Sequence, residues 1–240
     1  MNKKKKIILT ISILLLVVIL GVGGLVGNYF YNLALNPFTS KDMIFGDDDD
    51  DTSLEVEADV NWLIKDSNYI DTYITSSDNL KLHAYEVKNE NKTDKWAIVV
   101  HGYTSEGKLL SSKAKHLYNM GYNPNSEIAL HGTSMGSATV LMVSGEKLPS
   151  NVKAIVADCG YTSVYDEFSY QLKQLFNLPA FPIMNFSDVV THIRAGYCLN
   201  DASAINQVKK STTPILYIHG DKDDFVPYYM MDELYNATNS

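Results

Sequence analysis

Four short apolar runs, each closed by a polar residue and a glycine, constrain this fold more than any other feature. They are Trp96 to Val100 before His101-Gly102, Ile128 to Leu130 before His131-Gly132, Val152 to Ala157 before Asp158-Cys159-Gly160, and Pro214 to Ile218 before His219-Gly220. Runs of this length, without polar alternation and separated by helix-compatible stretches, read as parallel strands buried on both faces. Ligands of such sheets bind beyond the carboxyl ends of the strands. Those ends are where the glycines and polar residues fall. An antiparallel hairpin is expected just before this region. Tyr69 to Thr75 and Leu80 to Val87 alternate around Ser77-Asp78-Asn79, a turn cluster.

The second run leads into Gly132-Thr133-Ser134-Met135-Gly136 and then the helix-compatible Ser137 to Met142. This is G-x-S-x-G between a strand and a helix, the context that makes the pattern informative. A serine on so sharp a turn needs neighbours without a Cβ, so that strand and helix pass closely while Oγ projects outward. Ser134 is therefore the candidate nucleophile. A purely structural glycine turn is the alternative.

The chain's first thirty residues have a different character. Lys3 to Lys6 precede Ile7 to Val26, about twenty uncharged positions, enough to cross a hydrocarbon core of about 30 Å. The lysines are expected on the cytoplasmic side and Tyr29-Phe30-Tyr31 at the outer interface. Accordingly residues 1–6 read as a cytoplasmic tail, 7–27 as a transmembrane anchor, 28–61 as a linker and 62–240 as the globular domain. That domain is expected outside a single-pass cell membrane anchor. A cleaved signal peptide is the alternative, although its apolar core is ordinarily shorter. The linker holds Asp47 to Asp51, a self-repelling run that lacks the alternating ligands and central glycine of a calcium loop. Trp62-Leu63-Ile64 is expected to start a short helix docking it.

The overall charge of −8 contains 20 basic and 28 acidic residues. With Lys3 to Lys6 set aside, the rest carries a balance of −12, which argues against a nucleic-acid partner. No spacing marks a metal site or a cofactor. Cys159 and Cys198 are too few for a disulfide framework, though they could pair outside the membrane. Residues of about 163–208 form an excursion between two sheet strands. Phe168, Leu172, Leu175 and Phe176 recur there at helical spacing, and Leu178-Pro179 and Phe181-Pro182 break the pattern. Core packing explains this stripe, and so does a cap with an apolar pocket.

With these residues in place the chain resembles the α/β-hydrolase superfamily, and within it bacterial membrane-anchored serine hydrolases described as extended-family esterases or peptidase-like hydrolases. The resemblance rests on His101-Gly102-Tyr103, Gly132 to Gly136, Asp158-Cys159-Gly160-Tyr161 and Gly220 to Pro227. It implies an α/β fold with a mostly parallel sheet, helices on both faces and a small helical cap. It also implies acyl transfer on small-molecule ester, thioester or amide substrates. Gly220 to Pro227 matches the pattern G-x-x-D-x-x-V-P, so the resemblance makes Asp223 the triad acid. Asp224 and Asp158 are alternatives. The backbone N–H groups of Met135 and Tyr103 are implied as the oxyanion hole.

The sequence departs from that pattern in two places. All six histidines, His83, His101, His116, His131, His192 and His219, precede Asp223, whereas the family's general base follows the acid. His101 and His219 lie on the correct sheet edge, but a packed strand-end role accounts for each. Second, a helix from about Ser111 to Met120 runs through Gly121-Tyr122-Asn123 directly towards the nucleophile strand. The family has a further strand and helix there. The loss should force the Ser111–Met120 helix to change faces or leave a gap in the sheet. Three readings follow: an active serine hydrolase, a shortened relic or tethered binding module lacking the base, and a sequence from which segments were dropped in assembly.

Overall fold

The computed structural model describes residues 2–45, 54–90, 95–121 and 127–239. The Asp47–Asp51 run and the join at Asn123 lie outside these residues. In chain order the helices are α1 (Lys3–Ala34), α2 (Asp42–Phe45), α3 (Leu54–Asn61), α4 (Ser111–Asn119), α5 (Met135–Ser144), α6 (Val164–Phe176), α7 (Ala180–Ala195), α8 (Ala204–Val208) and α9 (Tyr228–Ala237). The strands are β1 (Ile70–Thr75), β2 (Lys81–Glu86), β3 (Lys95–Val100), β4 (Glu127–Thr133), β5 (Val152–Asp158) and β6 (Ile215–Ile218). They group into two compact units, one joining the N-terminal segment to residues 164–202 and the other holding the remainder.

The second unit is built on a four-stranded sheet in the order β3-β4-β5-β6. All neighbours are parallel, as the apolar runs predict. The expected hairpin is also present, β1 pairing antiparallel with β2 as a separate sheet. Side chains alternate across a strand, so register assigns them to faces. Leu130 pairs with Ile155 and Gly132 with Ala157 on one face, His131 with Val156 and Thr133 with Asp158 on the other. On the first face Leu130 and Ile155 pack with Val140 of α5. Leu141, Ala157, Ala204, Val208 and Leu234 continue that core through α8 and α9. Burial of side chains such as Leu141 and Ile155, both at 0% exposure, contributes about 1.5–3 kcal/mol each.

The second face is where α4 approaches. Its Lys113 Nζ donates to Asp158 Oδ2 at 2.5 Å and to Thr133 Oγ1 at 2.7 Å. Both acceptors belong to that face. Further along it, Leu216 and Ile218 of β6 are 59% and 46% exposed. Among the described residues no layer buries them, as expected of a shortened α/β-hydrolase fold.

Neither expected consequence of the missing strand-helix unit occurs. The sheet has no gap, because β3 pairs with β4 from Lys95↔Glu127 to Val100↔Gly132. Nor does α4 share a face with α5. Yet the steps β3 to β4 and β4 to β5 run in the same direction across the sheet. Two right-handed crossovers in one direction put their helices on one face. Here they lie on opposite faces, so the two crossovers have opposite hands.

The first unit pairs α1 with the excursion. Leu172, Met184 and Leu199 form a small core with Phe30, Leu35, Phe168 and Phe176 packed against it. The helix α1 continues past residue 27, the expected end of the span, to Ala34. A Cβ on Gly23 would fall 2.2 Å from the Phe186 ring, and one on Gly27 would fall 2.5 Å from the Phe186 carbonyl oxygen. Only glycine allows α7 this close. Sequence breakers at Phe181-Pro182 gave no sign of so long a helix. Phe181 is extended (φ −84°, ψ 134°), and Pro182 then falls in the first turn, where a missing N–H is harmless.

Candidate active site

Ser134 stands between β4 and α5 with φ 55° and ψ −118°. A positive φ on a non-glycine residue is strained by about 1–3 kcal/mol and persists only when its surroundings impose it. They do so here. A Cβ on Gly132 would lie 2.1 Å from the Gly136 carbonyl oxygen, and one on Gly136 would lie 2.2 Å from that of Val100. The Ser134 N–H donates to the Asp158 carbonyl at 2.8 Å, and the Ser134 carbonyl accepts from Ala138 at 3.0 Å. The glycines thus do the steric work that the sequence assigned to them.

The turn after β3 comes up against this serine. A Cβ on Gly102 would sit 3.3 Å from Ser134 Cβ and 3.8 Å from its Oγ, which brings the His101-Gly102-Tyr103 segment beside Ser134. Burial pushes the Tyr103 phenol up to about 12. Met135 is the first residue of α5, so its N–H is among those a helix leaves unpaired, at the positive end of the dipole.

Asp223 follows β6 and is built into its own turn. Its Oδ1 accepts from the N–H groups of Phe225 at 3.1 Å and Val226 at 2.9 Å. Its Oδ2 lies 3.5 Å from His219 Nε2. Asp158, the alternative acid, is engaged on the other face by Lys113. That lysine escaped sequence reasoning, because nothing in a short helix marks which side chain reaches a strand end.

The histidines are accounted for one by one. His83 Nε2 meets Asp71 Oδ1 at 2.7 Å on the hairpin. His101 Nδ1 lies 2.9 Å from the Gly102 carbonyl. His116 is on α4. His192, in the other unit, has Nδ1 3.6 Å from Cys198 Sγ. His219 is fully buried at 0% side-chain exposure, with Nε2 donating to the Val226 carbonyl at 2.8 Å. Among the described residues no histidine is hydrogen-bonded to Ser134 Oγ.

His131 lies on the α4 face of β4, and its Nδ1 has no partner among the described residues. Burial, then the charge of Lys113, lowers its pKa, against an opposing pull from Asp158. The unfolded chain therefore binds a proton here more readily than the folded one. Stability is retained above the ordinary value of about 6.5 and is lost as pH falls below it. Denaturant midpoints should drop between pH 7.5 and 5.5, and His131→Asn should remove part of that slope. An unchanged slope would contradict the buried neutral imidazole.

Cys159 and Cys198 are both free thiols. Burial, followed by the charge of Asp158, pushes the Cys159 thiol up to about 11. Ligand atoms of Cys159, His219 and Asp223 lie within 4.8 Å of one another, a grouping able by distance to hold a metal ion. His219 and Asp223 follow β6 while Cys159 follows β5, so sequence spacing alone could not disclose the grouping.

Residues 110–239 match the prolyl oligopeptidase family, Peptidase_S9. A curated relative, the uncharacterized protein YqkD of Bacillus subtilis, is 29% identical over 127 residues, 53% of this chain and 39% of that protein. The chain thus spans well under half of its length. Among solved structures, the Pyrococcus furiosus esterase Pf2001 is 20% identical with a TM-score of 0.49, covering 72% of this chain and 77% of that one. The Pyrococcus horikoshii acylaminoacyl peptidase is 14% identical with a TM-score of 0.47, covering 70% and 35%. Est1E from Butyrivibrio proteoclasticus is 19% identical with a TM-score of 0.46, covering 71% and 85%. The family match takes in more than half of the chain, including Ser134 and Asp223, and the chain belongs to the prolyl oligopeptidase family of α/β-hydrolases.

Proposed function

We propose that this chain carries the site of a serine hydrolase acting by acyl transfer on ester, thioester or small amide bonds, and that Ser134 is its nucleophile. The observation that carries the reading is the strained Ser134 backbone, enforced by Gly132 and Gly136 at the carboxyl edge of a parallel sheet. In this reading Asp223 is the acid, and the N–H groups of Met135 and Tyr103 receive the developing oxyanion. Two such donors matter, since removal of one typically costs about 2.7–4 kcal/mol of barrier.

The same geometry favours a second reading. A serine hydroxyl without an adjacent base keeps its proton and attacks slowly, and none of the six histidines is bonded to Ser134 Oγ. The site then binds substrate-like molecules and turns them over poorly, as a relic or tethered binding module. In both readings α1 anchors the chain by a single span, with Lys3 to Lys6 in the cytoplasm and the sheet unit outside the cell. The length and apolar character of α1 support that assignment.

Prolonged incubation with a fluorophosphonate, followed by peptide mass spectrometry, tests the nucleophile. The adduct is expected on Ser134 and absent from Ser134→Ala. An adduct confined to another residue would overturn the assignment.

A further inference from the structure

The α7 helix presents apolar side chains that its own unit leaves uncovered. Phe181 is 75% exposed, Val189 56% and Ile193 75%, while Met184, Ser187 and Thr191 are buried. What covers the exposed side chains follows from where α7 lies on α1. Phe186 packs on Gly23 and Gly27, and Val190 lies against Gly27. Arg194 Nη1 donates to Asn28 Oδ1 at 2.7 Å and Asn32 Oδ1 at 2.9 Å, its guanidinium 4.3 Å from the centre of the Tyr31 ring. The two helices therefore run parallel, and a step forward along α7 is a similar step outward along α1.

That pairing gives α7 a depth. The inference rests on the reading of α1 as a spanning anchor. The uncharged run begins at Ile7, and about twenty residues at about 1.5 Å each fill a hydrocarbon core of about 30 Å. The outer boundary then falls near Val26. The Phe186 ring, beside Gly23, lies within it while the Phe186 backbone stands at Gly27, and Phe181, on the inward side of Phe186, lies deeper. Val189 is close to the boundary. Ile193 and Arg194 lie just beyond it, at the level of Tyr29 and Tyr31. At the same depth α1 exposes its own apolar side chains, Val22 at 55% and Leu25 at 74%. The exposed side of α7, which carries Asn185 as well as Phe181 and Val189, stands at these depths.

We propose that the N-terminal half of α7 is immersed in the outer leaflet beside α1, with Phe181 in hydrocarbon, Val189 at its edge and Ile193 just beyond it. Arg194 then marks the level of the headgroups, where a guanidinium with amide and aromatic partners is well solvated. The glycines of α1 serve this arrangement. They let α7 approach closely enough for the two helices to enter the leaflet as one body, their facing polar backbone removed from lipid.

The test uses the full chain in phosphatidylcholine vesicles. A Cys159→Ser, Cys198→Ser background receives single cysteines carrying an NBD fluorophore, at Phe181→Cys, Val189→Cys, Leu16→Cys on the anchor and Gln174→Cys on the exposed side of α6. Phosphatidylcholine with a doxyl group on its acyl chain is the quencher. The proposal expects blue-shifted, doxyl-quenched emission at 181, 189 and 16, and water-like, unquenched emission at 174. Quenching at 16 with water-like emission at 181 and 189 overturns the immersion of α7 and leaves the anchor standing. Absence of quenching at 16 overturns both. Blue-shifted emission at 189 that resists doxyl lipid and rises with protein-to-lipid ratio shows a second copy of the chain on this face, and also overturns the proposal.

Discussion

Gly136→Ala is expected to unfold the sheet unit. The added Cβ would stand 2.2 Å from the Val100 carbonyl oxygen and 2.7 Å from that of His101. Both are backbone atoms, one at the end of the paired strand β3 and one just beyond it, and cannot rotate aside. The resulting shift of α5 from β3 and β4 would open the packing of Val140 and Leu141. A loss of about 4–5 kcal/mol or more places this substitution in the extreme tail of single changes, against a total stability of about 5–15 kcal/mol. Soluble yield and the cooperative denaturant transition should both collapse. Gly21→Ala, where nothing lies within 4 Å of the new Cβ, is the control and should leave the transition unchanged. A Gly136→Ala chain that melts like the wild type would show that α5 does not cross β3 and β4 as closely as described.

The second large effect is chemical. Added imidazole is expected to accelerate hydrolysis of an activated ester by this chain, through Ser134. A general base contributes about 10²- to 10⁴-fold when it is positioned. A diffusing imidazole should reach at most about the low end of that range. The acceleration should vanish in Ser134→Ala, which separates it from direct attack of imidazole on the ester. Acceleration of equal size in wild type and Ser134→Ala would mean that the serine takes no part.

The elements that were legible in the sequence are those dictated by local sterics and burial. Four apolar runs without alternation form the parallel sheet, although β6 leaves Leu216 and Ile218 largely uncovered on one face. Gly132 and Gly136 flank the serine held at φ 55°. Less legible was whatever depends on what a segment meets after folding. Residues of α7 looked like a broken segment because Pro182 interrupts the pattern, yet proline in a first turn starts a helix as readily as it ends one. The partner that makes α7 long and ordered is α1, far away in sequence. Lys113 belongs to the same class, since its reach to Asp158 depends on which face α4 takes.

The hand of the crossovers was not legible. Sequence reasoning foresaw that removal of a strand and helix before β4 disturbs the sheet, and expected a gap or a helix on the other face. Instead the pairing of β3 with β4 is intact and the hand of one crossover is reversed. Backbone hydrogen bonds across a gap have no substitute partners, whereas an unfavourable hand leaves every pair made. The uncovered Leu216 and Ile218 on the α4 face have a related origin. Apolar side chains on one face of a strand are chosen for a covering layer, and the described residues do not supply one there.

The most direct test of the central claim is the rate at which a fluorophosphonate reacts with the full chain and with Ser134→Ala, His101→Ala and His219→Ala. The account predicts slow reaction at Ser134, none in Ser134→Ala, and the same slow rate in both histidine variants, because His101 and His219 are bonded to backbone carbonyls rather than to Oγ. Rapid reaction that is lost in His101→Ala or His219→Ala would contradict it, and would establish a rewired triad with that histidine as the base.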